Sequence, residues 1–291
     1  MILIAPGGIG NQLFTIAAGL HISQNTSQRV KVYSDQCELV AAFKAMKNNS
    51  LASANVRIIY SKRRALFILK VCTKIFSLTK SKSKLSRFIS KRLRIMEKPW
   101  EFPFDILDVQ SPRLLVLLGF FQDIRLIDSL NEESARLLMN FLKLENKERI
   151  NHTNNDRRSI GAHLRRGDYV SIPKYGLLTE QYFRDLIDRL FQDDCMILIA
   201  SEDEELLKRI GKYERQLLLP SQLYSPLETM KQLASSEVFI MSNSTFSFWI
   251  GWAVLRSGGS VYAPTPWFKS TYTPPNFLKL SGFTFVDAKF E

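Results

Sequence analysis

Short apolar runs alternate with polar, glycine-bearing turns from the first residues of this 291-residue chain. Residues 2–5 (Ile-Leu-Ile-Ala) make an apolar run of strand length that ends in Pro6-Gly7-Gly8. Over 13–24, Phe14, Ala17, Ala18, His21 and Ile22 recur near one face, which predicts a helix. Val30, Val32 and Tyr33 predict a second strand over 29–34. Strand, glycine loop, helix and strand in that order make a βαβ unit. Residues 65–93 predict two basic amphipathic helices. Leu66, Leu69, Thr73 and Phe76 mark the first, and Leu85, Phe88, Ile89, Arg92 and Leu93 the second, with the Ser/Lys tract 79–84 between them. A strand over 114–118 and a helix over 128–144 close this half.

The polar stretch 146–158 reads as an interdomain linker. A second alternation follows it. Strands are predicted around 160, at 196–200, 238–241 and 261–263, and helices at 179–191 (Thr179 as N-cap), 226–234 and 248–256. The fold class is therefore α/β, with two Rossmann-like domains facing a cleft. The N-terminal domain spans 1–155 and carries a basic helical insertion at 61–98; the C-terminal domain spans 156–291.

Charge changes this picture at one place. The chain carries a formal +12, yet residues 61–98 hold thirteen Lys or Arg against one acid, Glu97, so the remainder is close to neutral. That distribution argues against a fold that wraps nucleic acid as a whole, and the segment lacks the aromatic interleaving of a single-strand binding face. It reads either as a solvated insertion or as an attachment to an anionic membrane surface. Three scattered cysteines, Cys37, Cys72 and Cys195, suit a reducing compartment, and a count of three histidines argues against a His-rich metal site. No apolar stretch approaches the roughly 18 residues of a membrane span. The expectation is a cytoplasmic protein lying peripherally on the inner membrane.

Four clusters at strand ends could carry chemistry. His163-Leu164-Arg165-Arg166-Gly167-Asp168-Tyr169 follows a buried-strand pattern. Its adjacent arginines read either as a phosphate clamp, with Asp168 holding one of them, or as an ion-pair network pinning a strand end. Ser242-Asn243-Ser244-Thr245-Phe246-Ser247 offers hydroxyls and helix-start N–H groups as a phosphate seat, or simple N-capping. Ser201-Glu202-Asp203-Glu204-Glu205 could bind a metal, act as a base or read a nucleoside, or could only answer a helix dipole. Gly7-Gly8-Ile9-Gly10-Asn11-Gln12 opens a helix after a strand and suits an anion or a sugar, or close packing in a tight turn. No Asp-x-Asp occurs, so a divalent metal on a diphosphate lacks its usual ligands.

Taken together, Gly8-Ile9-Gly10-Asn11-Gln12-Leu13-Phe14, Gly119-Phe120-Phe121-Gln122, the His163–Tyr169 segment and Ser242-Asn243-Ser244-Thr245-Phe246-Ser247-Phe248-Trp249 occur in the order seen in bacterial alpha-1,2-fucosyltransferases, which this chain resembles. The resemblance implies a GT-B-like fold and an inverting, metal-independent transferase without cofactor. It implies GDP-fucose on the C-terminal domain and a galactose-containing glycan acceptor, lipid-linked in one version. It implies that Arg165 binds the donor diphosphate, supported by Arg166, with Asp168 orienting the loop. It further implies His163 at the guanosine, Ser244, Thr245 and Ser247 at the β-phosphate, and Asn11 and Gln12 on the acceptor side. Glu228 stands near the place of a family aspartate expected at the guanine. The base candidates are Asp123, Glu202 and Asp203. The alternatives are another nucleotide-sugar transferase on this scaffold, or a basic membrane- or nucleic-acid-binding protein without catalysis.

Overall fold

The computed structural model describes residues 1–5, 7–26, 28–46, 55–61, 67, 93–95, 101–108, 116–143, 158–191, 195–213, 215–270 and 277–291. The chain divides into two compact units: Met1–Phe141 with Asn276–Leu278, and Leu142–Pro275 with Lys279–Glu291. The linker expected over 146–158, with the domain boundary inside it, lies outside the described residues except at Arg158.

The first unit is built on a parallel sheet. It comprises β1 (Ile2–Ile4), β2 (Val30–Ser34), β3 (Val56–Tyr60), β4 (Leu93–Ile95) and β5 (Val116–Leu118), in the order β3-β2-β1-β5-β4. Central Leu3 lies between Val32 and Leu117 and is fully buried. Helix α1 (Ile9–Thr26) is apolar nearly all round, as a helix enclosed by its unit must be. A side chain at Gly19 would meet Val32 Cγ2 at 3.2 Å, so glycine there lets α1 lie close to the sheet. Helices α2 (Cys37–Ala45), α3 (Ile124–Asp128) and α4 (Glu132–Leu142) complete this part.

Four details differ from the sequence pattern. Helix α1 starts at Ile9 rather than 13, because Ile9 is buried and anchors the first turn, so Gly10, Asn11 and Gln12 are helical. The helix expected over 128–144 is shorter, Glu132–Leu142, with Asp128 ending the separate α3. Asn131 Oδ1 accepts from the Ser134 N–H at 2.9 Å and restarts the chain as α4. Helix α2 and strand β3 are unforeseen additions. Leu93, read as the end of a basic helix, opens β4 instead: Leu93-Arg94-Ile95 alternates with period two and pairs with 116–118. The rest of the basic segment 61–98 lies outside the described residues, apart from Ser61 and Phe67. Among the described residues no helix is long and apolar enough to cross a membrane.

The second unit is also parallel throughout. Its strands are β6 (Ser159–Leu164), β7 (Met196–Ser201), β8 (Gln216–Pro220), β9 (Val238–Ile240), β10 (Ser260–Thr265) and β11 (Phe283–Asp287), in the order β11-β10-β9-β6-β7-β8. That is the doubly wound arrangement, whose strand order reverses beside β6. All six β6 positions are buried, which explains the apolar run Ile160-Gly161-Ala162 ahead of the arginines. Helices α5 (Glu180–Leu190), α6 (Glu204–Ile210), α7 (Pro226–Ala234) and α8 (Thr245–Arg256) connect the strands. Tyr182, Phe183, Leu186 and Ile187 of α5 join Ile160, Ala162, Leu164, Ile197 and Ile199 in one core. Thr179 caps α5 as its sequence predicts, accepting from the Tyr182 N–H at 3.2 Å. Such a cap stabilises by about 1 kcal/mol. Helix α8 starts at Thr245, three residues before the expected 248, because Ser244 caps it. Strands β8 and β11, at the two edges, are unforeseen.

Candidate functional site

Ligands of open parallel sheets bind beyond the carboxyl ends of the strands, where the strand order reverses. In the second unit that point lies between β6 and β9. The arginine segment leaves β6 there, and the Ser242–Ser247 loop leaves β9 beside it. The hydroxyl of Tyr169 donates to the Asn243 carbonyl at 3.0 Å and ties the two loops together. Asn243 Nδ2 in turn faces the carbonyls of Tyr175, Gly176 and Trp267, each at 3.1 Å. Asn243 and Tyr169 thus set the loop geometry, a role visible in the sequence only as membership of the two motifs.

Arg165 is the centre of the charged part. Its Nη1 donates to Glu202 Oε1 and its Nη2 to Asp168 Oδ1, and its guanidinium lies 5.4 Å from the Tyr169 ring centroid. The other Glu202 oxygen accepts from the Arg166 N–H at 3.0 Å. Burial raises the Glu202 carboxyl, but Arg165, the Arg166 N–H and His163 when charged outweigh it and hold the group below its ordinary value. Gly167 (φ +40°) has space for no side chain, since a Cβ would stand 3.1 Å from Glu202 Oε1 and 3.3 Å from Arg165 Cζ. Of the two sequence readings of the arginines, the ion-pair network is present at Arg165. Arg166 is different: it is buried and pairs with Glu291 at 2.7 Å, so its side chain props the loop against the last strand's continuation.

The hydroxyl cluster is rearranged relative to expectation. Ser247 is fully buried; its Oγ lies 2.6 Å from His163 Nδ1 and 2.8 Å from Ser242 Oγ. Ser244 is buried too, and its Oγ accepts from the Ser247 N–H at 3.1 Å as the cap of α8. Of the three hydroxyls expected at a phosphate, only that of Thr245 belongs to a partly exposed residue. Neither Ser244 nor Ser247 is arranged to meet one. His163 is enclosed, with the Phe246 ring 4.8 Å away, and burial pushes its imidazole down to about 4. It is a neutral internal hydrogen-bonding group, not a guanosine contact in this arrangement.

The remaining candidates are engaged locally. Glu228 forms a capping box on α7, accepting from the Ser225 N–H at 2.8 Å, and that bond holds its carboxyl below its usual value. Asp203 caps α6 through the Leu206 N–H at 2.9 Å. Asp123, buried in the first unit, caps α3 and accepts from Arg125 N, Nε and Nη2 and from Phe102 N at 2.6–3.3 Å. Glu202, held below its ordinary value, is a weak proton acceptor, and the Asp123 carboxylate is engaged by Arg125 and Phe102.

The first unit has its own reversal point, between β1 and β5. Gln122 Nε2, beyond β5, donates to Asn11 Oδ1 on α1 at 2.8 Å. Gly7 (φ +81°) packs against Asn11, and Gly8 faces open space. Phe121 is buried with φ +51°, an uncommon backbone for an aromatic residue that sets Gln122 in place. Gln12 is not exposed as expected. It is fully buried, donating to Gly7 O at 2.9 Å and Asp35 Oδ1 at 2.6 Å and accepting from Ser34 Oγ at 2.5 Å. Among the described residues no group of His, Cys, Asp or Glu could hold a metal ion.

Residues 4–279 match the model of Glycosyl transferase family 11. The chain belongs to that family. This family 11 glycosyltransferase is 26% identical to an Escherichia coli alpha-1,2-colitosyltransferase over 90% of each chain. It is 24% identical to the E. coli O-antigen biosynthesis glycosyltransferase WbnK, over 94% of this chain and 98% of WbnK. Its fold is similar to that of the fucosyltransferase NodZ from Bradyrhizobium, with a TM-score of 0.51 at 15% identity over 87% and 92% of the two chains. The family 11 chain therefore has the GT-B-type fold of these glycosyltransferases.

Proposed function

We propose that the protein transfers L-fucose from GDP-β-L-fucose to a galactose-containing glycan, forming an α-1,2 linkage with inversion. The observation that carries this reading is Arg165. It stands at the reversal point of a doubly wound sheet, aimed by Glu202 through one terminal nitrogen. An acceptor hydroxyl attacks the anomeric carbon while the bond to the diphosphate breaks, through an oxocarbenium-like transition state. Negative charge grows on the leaving GDP, and a guanidinium already in place stabilises it without reorganisation. Thr245, at the start of α8, is the hydroxyl proposed for the phosphates. Asn11 and Gln122 are proposed for acceptor hydroxyls.

The similarity to an alpha-1,2-colitosyltransferase supports a second donor reading, GDP-colitose at the same site. The similarity to an O-antigen enzyme supports a lipid-linked polysaccharide intermediate as acceptor. The thirteen basic residues of 61–98 support peripheral attachment to an anionic membrane, where each contributes about 1 kcal/mol. The test is incubation with GDP-fucose, GDP-colitose, other GDP-sugars and UDP-sugars on lactose-type acceptors, read by mass and by linkage analysis. A fucosylated, 2-linked galactoside is the expected product. Transfer from UDP-sugars alone, or no transfer from any GDP-sugar, overturns the proposal.

A further inference from the structure

Two carboxylates share the guanidinium of Arg165, and their surroundings are unlike. Glu202 is half-buried at the end of β7, and its second oxygen is bound to the Arg166 N–H at 3.0 Å. Moving it would break a backbone bond as well as an ion pair. Asp168 lies on the short 3-10 helix Gly167–Ser171 with its side chain 63% exposed, and no second donor to its carboxylate is seen among the described contacts. Gly167, between the two arginines and Asp168, has the left-handed φ that lets the chain turn back to make this contact. Exposed ion pairs of this sort exchange readily with solvent and with competing anions.

We propose that Asp168 is a built-in competitor that occupies the anion seat of Arg165 and is displaced by the incoming diphosphate, whereas Glu202 is the positioning residue that keeps Arg165 aimed throughout. This inference rests on the donor reading above and adds how the site is regulated. Empty, the guanidinium is neutralised from two sides and attracts stray anions weakly. A pyrophosphate group, with two negatively charged phosphates, outcompetes one exposed carboxylate. The nitrogen that Asp168 vacates is the one offered to the donor. Removing the two carboxylates should therefore have opposite effects on anion binding.

The experiment titrates GDP, and separately inorganic pyrophosphate, into the wild-type chain and the variants Asp168→Asn and Glu202→Gln, with melting temperatures and steady-state kinetics measured alongside. Asp168→Asn should tighten both ligands about two- to fivefold, the range of an exposed ion pair. Glu202→Gln should weaken both and lower kcat about 100-fold, as for a lost transition-state donor, with the acceptor KM and the melting temperature little changed. The proposal is overturned if Asp168→Asn weakens pyrophosphate binding, or if Glu202→Gln binds it as the wild type does. The exposed Asp168 variant keeps the test decisive even if Glu202→Gln unfolds. Pyrophosphate that binds with the opposite-sign pattern while GDP does not bind would remove the guanosine donor and leave the competitor standing. A wild type that binds neither overturns both.

Discussion

Both sheets reverse their strand order beside a central strand, at β1 in the first unit and β6 in the second, yet the loops beyond them differ in chemistry. Beyond β6 stand Arg165, Glu202 and Asp168, full charges in mutual contact. Beyond β1 and β5 stand the amides of Asn11, Gln12 and Gln122, with glycines between. Guanidinium groups suit phosphate oxygens, while amides, each both donor and acceptor, suit sugar hydroxyls. One supersecondary plan thus carries a charged cluster in one unit and a neutral polar one in the other, and the side chains at the strand ends make the difference.

The contrast can be broken most severely at Arg165. Arg165→Ala should lower kcat about 100-fold or more, and GDP affinity with it, without altering acceptor KM. Wild-type turnover in that variant would remove the anion site from the mechanism. The neutral site should respond in the other parameter. Gln122→Ala is expected to raise acceptor KM about tenfold, the loss of one hydrogen bond, with GDP affinity unchanged. Equal effects on both ligands would erase the distinction.

A pH titration of stability probes the β6 side through His163, with His21 of the first unit, whose imidazole burial also lowers, adding to the slope. The folded-state value of His163, about 4, lies below its ordinary 6.5, so the unfolded chain binds the extra proton between those values. Stability is fully present above pH 6.5 and is lost as pH falls toward 4, by up to about 1.4 kcal/mol per unit. Chemical denaturation at several pH values should show that slope, and His163→Asn should flatten it. Glu202 and Glu228, whose values are also depressed, act in a lower window, below their ordinary 4.5. Smaller again, Gln12→Ala should destabilise by about 2 kcal/mol, because Ser34 and Asp35 lose a buried partner. Ser244→Ala should cost about 1 kcal/mol as a lost cap. Thermal or urea unfolding reads both, and a larger loss of activity than of stability in Gln12→Ala would make its role more than structural.

The positions of the chemistry were legible along the chain because strand ends and glycine turns are local signals. The apolar run Ile160-Gly161-Ala162 marked β6, and Thr179 marked a helix start that the structure contains. Edge strands β8 and β11 were not legible, since only one residue of each is buried and their pattern is faint. The roles of hydroxyls and amides were hidden for a different reason. Ser247 is taken by His163, 84 positions earlier, and Gln12 by Ser34 and Asp35. No local pattern tells whether a polar side chain points at a ligand or at a distant neighbour. Asp123 shows the same: its carboxylate serves Phe102 and Arg125, contacts set by chain packing.

The pairing of Ile160 with Val238 brings together strands between which two whole βα units are strung. Contacts of such sequence separation form late, because closing a long loop costs entropy before it gains any bonds. The side of the seat that the Ser242–Ser247 loop supplies therefore comes into being only as the second unit completes its sheet. A nascent chain stopped before Val238 would hold the arginines with no partner loop beside them, and anion binding should emerge abruptly, with the last folding step, not in proportion to the length synthesised.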